Sequence, residues 1–138
     1  MNLDKDRLRA KLQDISKSVA RLKILRMMDR DSFLADEDSQ DIARSRLLIA
    51  IEAALNICYH LTAKKLQQVP DDYAQCFGIL GTSGLIPQDL ADRLALMARF
   101  RNRLVHLYWQ VDYDQVYTIF KNNLVDLEEF TREVARHL

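Results

Sequence analysis

The sequence predicts an all-α fold, an antiparallel helical bundle of about five helices and no strands. Three observations carry this. Apolar residues recur at spacings of three and four along most of the chain, as one face of a helix requires. Only 3 Gly and 2 Pro interrupt the sequence, and they fall at the ends of these patterns. The connections between patterns are mostly short, which makes neighbouring helices pack antiparallel. With 138 residues, of which 49% are hydrophobic, residues 1–138 suit a single domain around one core.

A first helix is expected from Leu3 to Met28, with Leu8, Leu12, Ile15, Val19 and Leu22 on its buried face. The acidic stretch from Asp29 to Asp38 reads as a loop whose carboxylates suit the positive end of the next helix. The second helix, Glu37 to Leu66, has a main stripe of Leu47, Ile51, Ala54, Cys58 and Leu61. Leu48, Ile49, Leu55, Ile57 and Tyr59 make it apolar nearly all round, so it is either central or shared with a second subunit. Glu52, Asn56 and His60 form one polar line along it, favoured here as a buried hydrogen-bonded network over a catalytic group. Pro70, Asp71 and Asp72 open a short third helix ending near Leu80, with Gly81 as its cap. After a turn over Thr82 to Ile86, Pro87 starts the fourth helix, which should end between Leu107 and Gln110. Asp112 with Gln115 resembles a capping box for the fifth. Val116, Phe120, Leu124, Leu127, Phe130 and Val134 line its buried side.

Composition excludes several classes of function. Lys+Arg 20 balances Asp+Glu 20, so the chain as a whole does not attract nucleic acid, and any such site must be local. Arg93, Arg99, Arg101 and Arg103 crowd one segment; Asp29, Asp31, Asp36, Glu37, Asp38 and Asp41 crowd another. Both runs also suit solvated surfaces. Cys58 and Cys76 lack zinc-ligand spacing and read as reduced core thiols, so no metal is expected. No Gly-rich phosphate loop occurs, and no cofactor is expected. The N-terminus is charged from Asp4 onward, and no stretch reads as the ~20 apolar residues of a membrane span. A soluble cytoplasmic protein with no membrane partner is expected.

The fourth helix breaks its own pattern. Leu90, Leu94 and Met97 form an apolar stripe whose next positions are Arg101, Leu104 and Tyr108. A permanent charge on such a stripe costs several kcal/mol or so unless paired or hydrated, and breaches of this kind mark function. Arg101, Asn102 and His106 together suit metal-independent RNA cleavage. There the substrate's own 2′-hydroxyl attacks, and the protein moves protons and stabilises phosphate charge. His carries protons near neutral pH. Arg presents a planar fork to phosphate oxygens, and Asn donates to them or orients the His. Asn102 and His106 share a face, but Arg101 and His106 lie about 140° apart around a straight helix. They converge only if the Arg side chain wraps round, the helix distorts, or a second subunit completes the cleft; a symmetric dimer is favoured. Equally, a His near a helix end can be no more than a satisfied polar group. Arg99 and Arg103 offer backbone contacts to RNA, and Tyr108 and Trp109 offer stacking, although Trp109 and Tyr113 could instead pack at the turn.

Arg101, Asn102, His106 and Tyr108 together resemble the motif of the HEPN superfamily, and more narrowly its HepT-type toxins. Ala50-Ile51-Glu52-Ala53 with His60 resembles that family's central helix. The stretches from Tyr73 through Leu85-Ile86-Pro87 to Met97, and from Asp112 to Phe130, are also family-like. Leu107 departs from the small or polar residue that many relatives carry there. The resemblance implies a HEPN-like bundle and a metal-independent endoribonuclease toxin, homodimeric, from a prokaryotic toxin–antitoxin system. Its RNA substrate is cleaved, and DNA is not expected as a partner. By the same resemblance Arg101, Asn102 and His106 are catalytic. An MntA-type nucleotidyltransferase antitoxin neutralises the toxin by transferring AMP to Tyr108. The competing expectation is a non-catalytic bundle that partners a nucleotidyltransferase, with Arg101 and His106 structural and paired to Glu52.

Overall fold

The computed structural model describes residues 3–106 and 108–138. Among the described residues the chain forms α1 (Lys5–Leu25), α2 (Arg30–Leu34), α3 (Glu37–Lys64), α4 (Tyr73–Thr82), α5 (Gln88–His106), a single 3-10 turn (Tyr108–Gln110), α6 (Tyr113–Asn122) and α7 (Leu124–Ala135), with no strand.

Helix α3 is the centre, and its apolar circumference is explained inside one chain. Leu47, Ile51, Ala54, Cys58 and Leu61 are buried, as are Leu55 and Ile57; only Ile42 and Ile49 keep substantial exposure. By length and composition alone α3 could cross a bilayer, contrary to expectation. Its burial against α1, α4, α5 and α7 identifies it as a core helix instead. Helix α1 runs antiparallel to it: the Asp4 N–H donates to His60 Nε2 (3.0 Å), and Arg7 reaches Asn56 three residues on. Leu8, Ile15, Val19 and Leu22 are buried as expected, and Leu12 is half-buried.

Three element boundaries differ from expectation, each for a local reason. The acidic stretch contains a helix, α2, because Asp29 accepts the Ser32 N–H (2.7 Å) and one residue, Phe33, anchors it. Phe33 is fully buried, with its ring 5.0 Å from Phe120 and 5.6 Å from Tyr117. The third helix begins at Tyr73 under an Asp72 cap and runs through Gly81 to Thr82. Gly81 is therefore no cap. A Cβ there would lie 2.6 Å from Ala91 Cβ, so this glycine lets α4 and α5 approach, while Gly84 (φ +83°) takes the left-handed position beyond the helix. The fifth helix is two, broken at Asn123, whose N–H closes α6 onto Ile119. The buried stripe from Val116 to Val134 nevertheless continues across the break, with all six expected residues in the core. Asp112 caps α6 by accepting from Asp114 and Gln115, but Gln115 does not return the bond; its side chain accepts from Arg103 instead.

Candidate functional site

The site sits on the last two turns of α5, where that helix lies along α3. The breach in the apolar stripe is resolved by α3: the Arg101 Nε–H donates to a Glu52 carboxylate oxygen. Its guanidinium carbon lies 5.0 Å from the Tyr73 ring centroid, and Nη1 donates to Asn102 Oδ1 (3.3 Å). Only 16% of the Arg101 side chain is exposed, against 37% for Glu52. Arg101 is thus a held, pre-oriented cation with an open edge.

Sequence reasoning passed over Arg44. Its Nη2 donates to the Leu104 carbonyl (2.9 Å), which supplies a partner for one of the last carbonyls of α5 and places a positive charge at that helix's negative end. Arg44 and Glu52 lie two turns apart on α3, so α5 is gripped at two heights. No sequence spacing reveals such a pairing, because it joins residues sixty apart.

His106 ends α5, is exposed, and is free of hydrogen bonds and ion pairs among the described residues. Asn102, Arg99 and Arg103 are exposed as well. Within one chain Arg101 and His106 are not brought together: Arg101 turns to α3, and His106 faces solvent on the flank shared with Asn102. Of the three ways of joining them, wrapping of the Arg side chain is therefore not the one adopted here. Tyr108 opens the 3-10 turn, but its side chain, like Leu107, lies outside the described residues. Trp109 is exposed, whereas Tyr113 packs edge-on against Phe33. No group of three potential metal ligands occurs among the described residues. Cys58 and Cys76 are buried, and desolvation pushes the Cys58 thiol up, so it stays protonated.

The polar line of α3 is not the buried network expected. Glu52, Asn56 and His60 are half-buried and line an open cleft of about 350 Å³ with Arg7, Tyr59 and Tyr73. Their side chains reach across to other helices: Glu52 bonds Arg101 on α5, Asn56 accepts from Arg7 on α1 while donating to the Glu52 carbonyl, and His60 accepts the N–H of Asp4, the cap of α1. Desolvation, followed by Arg7, lowers the His60 pKa below 6.5. Burial is also the main cause that pushes the Tyr59 phenol up to about 12.

Relatives of known kind share this architecture. The ribonuclease HepT-like family matches residues 15–134. The mRNA nuclease HepT of Shewanella oneidensis is 30% identical over 102 residues, 74% of this chain and 77% of that protein. The tRNA nuclease HepT of Aphanizomenon flos-aquae is 25% identical over 99% of this chain and 93% of its own. Among solved structures, the tri-AMPylated Shewanella oneidensis HEPN toxin in complex with its MNT antitoxin superposes with a TM-score of 0.86 at 27% identity, covering 99% of each chain. The cytosolic protein YutE of Bacillus subtilis shares the fold, with a TM-score of 0.87 at 18% identity over 99% of this chain and 91% of that one. An all-α bundle carrying Arg101 and His106 on one helix, matched by that family over most of its length, belongs to the ribonuclease HepT-like family of HEPN proteins.

Proposed function

We propose that the chain, acting as one domain over residues 1–138, is the endoribonuclease toxin of a toxin–antitoxin pair and cleaves RNA without a metal. The observation that carries this is the state of the two motif residues. Arg101 is fixed by Glu52 and Tyr73 with an edge exposed, and His106 stands exposed five residues on. The substrate's 2′-oxygen attacks the adjacent phosphorus and loses its proton. The bond from phosphorus to the 5′-oxygen breaks, and that oxygen gains a proton. A 2′,3′-cyclic phosphate and a 5′-hydroxyl result. His106 is the proton carrier, Arg101 holds the phosphate charge, and Asn102 supports both as a hydrogen-bonding neighbour. Arg99 and Arg103 contact the RNA backbone.

One His cannot both take and give a proton in a single displacement, and a homodimer provides two. Leu96, Arg99, Arg103 and His106 follow one another at spacings of three and four along an exposed face of α5, and Leu96 is 62% exposed. Joining two copies there buries that leucine beside the groove formed by Met97, Phe100 and Ile119, and faces the two His106 residues toward each other. The apolar surface that joins the copies is thus on α5, not on α3.

The partner is an MntA-type nucleotidyltransferase that transfers AMP to the Tyr108 hydroxyl, as the AMPylated state of the Shewanella toxin complex supports. The added phosphate brings negative charge beside Arg101 and repels an RNA backbone. Cleavage of mRNA and tRNA in the presence of a chelator tests the activity. His106→Ala and Arg101→Ala should each lower the rate by about 10²- to 10⁴-fold with helical content intact. Full activity in both variants overturns the reading. Intact-mass analysis after coexpression with the nucleotidyltransferase should show AMP-sized additions on Tyr108, absent in Tyr108→Phe.

The Arg101–Glu52 pair favours a second reading, a non-catalytic partner of the antitoxin in which that pair is structural. The exposure of His106 counts against it. A wild-type protein without RNA cleavage, combined with a stable nucleotidyltransferase complex, would select it.

A further inference from the structure

The open cleft along α3 is not used by the chemistry above, yet it adjoins the phosphate-holding arginine. Glu52 and Tyr73 belong to both: they hold Arg101 from one side and line the cleft from the other. We propose that this cleft is a nucleotide subsite, receiving the RNA nucleotide next to the cleaved phosphodiester, with Arg7 on its outer phosphate and the Tyr59–Tyr73 pair against its base. The proposal rests on the ribonuclease reading and assigns that site its neighbouring contact.

Size and shape agree. A volume of about 350 Å³ is of the order that small-ligand sites occupy. Tyr59 and Tyr73 meet edge to face at 5.8 Å, giving an angled aromatic wall of the kind on which unstacked RNA bases rest. Tyr59 keeps its phenolic proton at all physiological pH and so remains a donor. Asn56 donates to the Glu52 carbonyl and accepts from Arg7, which fixes its amide plane and leaves one N–H and one lone pair for a base edge. The cleft wall itself carries Arg7 and Glu52, with Arg101 behind Glu52; Asp4 and Lys64 act on His60, and Asp72 on Tyr59, from its rim, so Arg7 is the cation that the lining offers to a phosphate.

The test is steady-state cleavage of an RNA oligonucleotide by the full chain and by an Arg7→Ala/Asn56→Ala variant, with helical content checked by circular dichroism. The variant should raise KM by about tenfold with kcat within about threefold, and should flatten the nucleotide preference at one position flanking the cut. KM within about twofold of the wild type, or a fall in kcat alone, overturns the subsite. If the double variant loses helical content, Asn56→Asp, which sets a negative charge against the incoming nucleotide, is read in the same way. If the wild type cleaves no RNA, the ribonuclease reading fails by itself. The subsite is then judged by binding of a 2′-O-methyl oligonucleotide, which the wild type must hold about tenfold more tightly than the variant.

Discussion

A guanidinium on an apolar stripe is tolerable because of one carboxylate, and the consequences begin with that pair. Glu52 is more than a third exposed, so water screens the pair and removing the charge costs modestly. Glu52→Gln is expected to destabilise by about 1 kcal/mol, seen as a fall of a few degrees in Tm, and to slow RNA cleavage far more than that loss of stability explains. His60 carries a pH dependence of known sign. Its folded pKa lies below the ordinary 6.5, chiefly through desolvation and then Arg7, with Asp4 opposing. The unfolded chain therefore binds the proton first as pH falls. The stability that His60 lends by accepting the Asp4 N–H is complete above pH 6.5 and lost as pH drops through the lowered value. Thermal melts of wild type and His60→Ala should differ most near about pH 8 and converge toward about pH 5. At this scale the sequence was informative about type and not about partner. It marked Arg101 as anomalous and, in the competing expectation, offered Glu52 to both Arg101 and His106, of which Glu52 holds Arg101; Arg44, Tyr73 and Arg7 could be assigned only once the helices were packed.

Among elements, the contact of α5 with α7 rests on a nearly closed ion pair. Asp126 is 3% exposed and accepts from Arg93 Nε (2.8 Å), while Asn123 approaches its other oxygen. Hydrogen bonding from Asp126, and secondarily from Asp89, raises the Arg93 pKa, so the cation persists at all relevant pH. Asp126→Asn should destabilise by about 1–3 kcal/mol, measured by chemical denaturation, because a buried charged bond is replaced by a weaker neutral one. At the α4–α5 hairpin, Gly81→Ala presses a methyl into Ala91 and should cost a further ~1–3 kcal/mol. Both elements also show the limits of periodicity. Every long apolar stripe was legible, including the one that runs across Asn123. The five-residue α2 was not, because a single anchor such as Phe33 makes no period.

For the molecule as a whole, zero net charge has a measurable result. In the proposed reading, RNA binding relies on a few local cations, Arg99, Arg101 and Arg103 among them, because the chain as a whole carries no net charge. The logarithm of RNA affinity should therefore fall with the logarithm of salt at a slope of about −2, far shallower than for a basic nucleic-acid-binding domain. A slope near zero would remove these arginines from the binding surface. The bundle class and the motif helix were legible in the chain, because core stripes and chemistry-bearing exceptions are both one-dimensional patterns. The place where Arg101 and His106 would meet was not, since a helix turns the two residues apart and the proposed meeting point lies between two copies of the chain.

The double grip of α3 on α5 bears on how such a protein is silenced. With Glu52 and Arg44 holding Arg101 and the Leu104 carbonyl within one turn of each other, the last turns of α5 are fastened to the bundle. A regulator gains little by deforming them. It has to cover the opening or change its electrical sign, and the AMP phosphate of the proposed transfer would do the latter without deforming a helix.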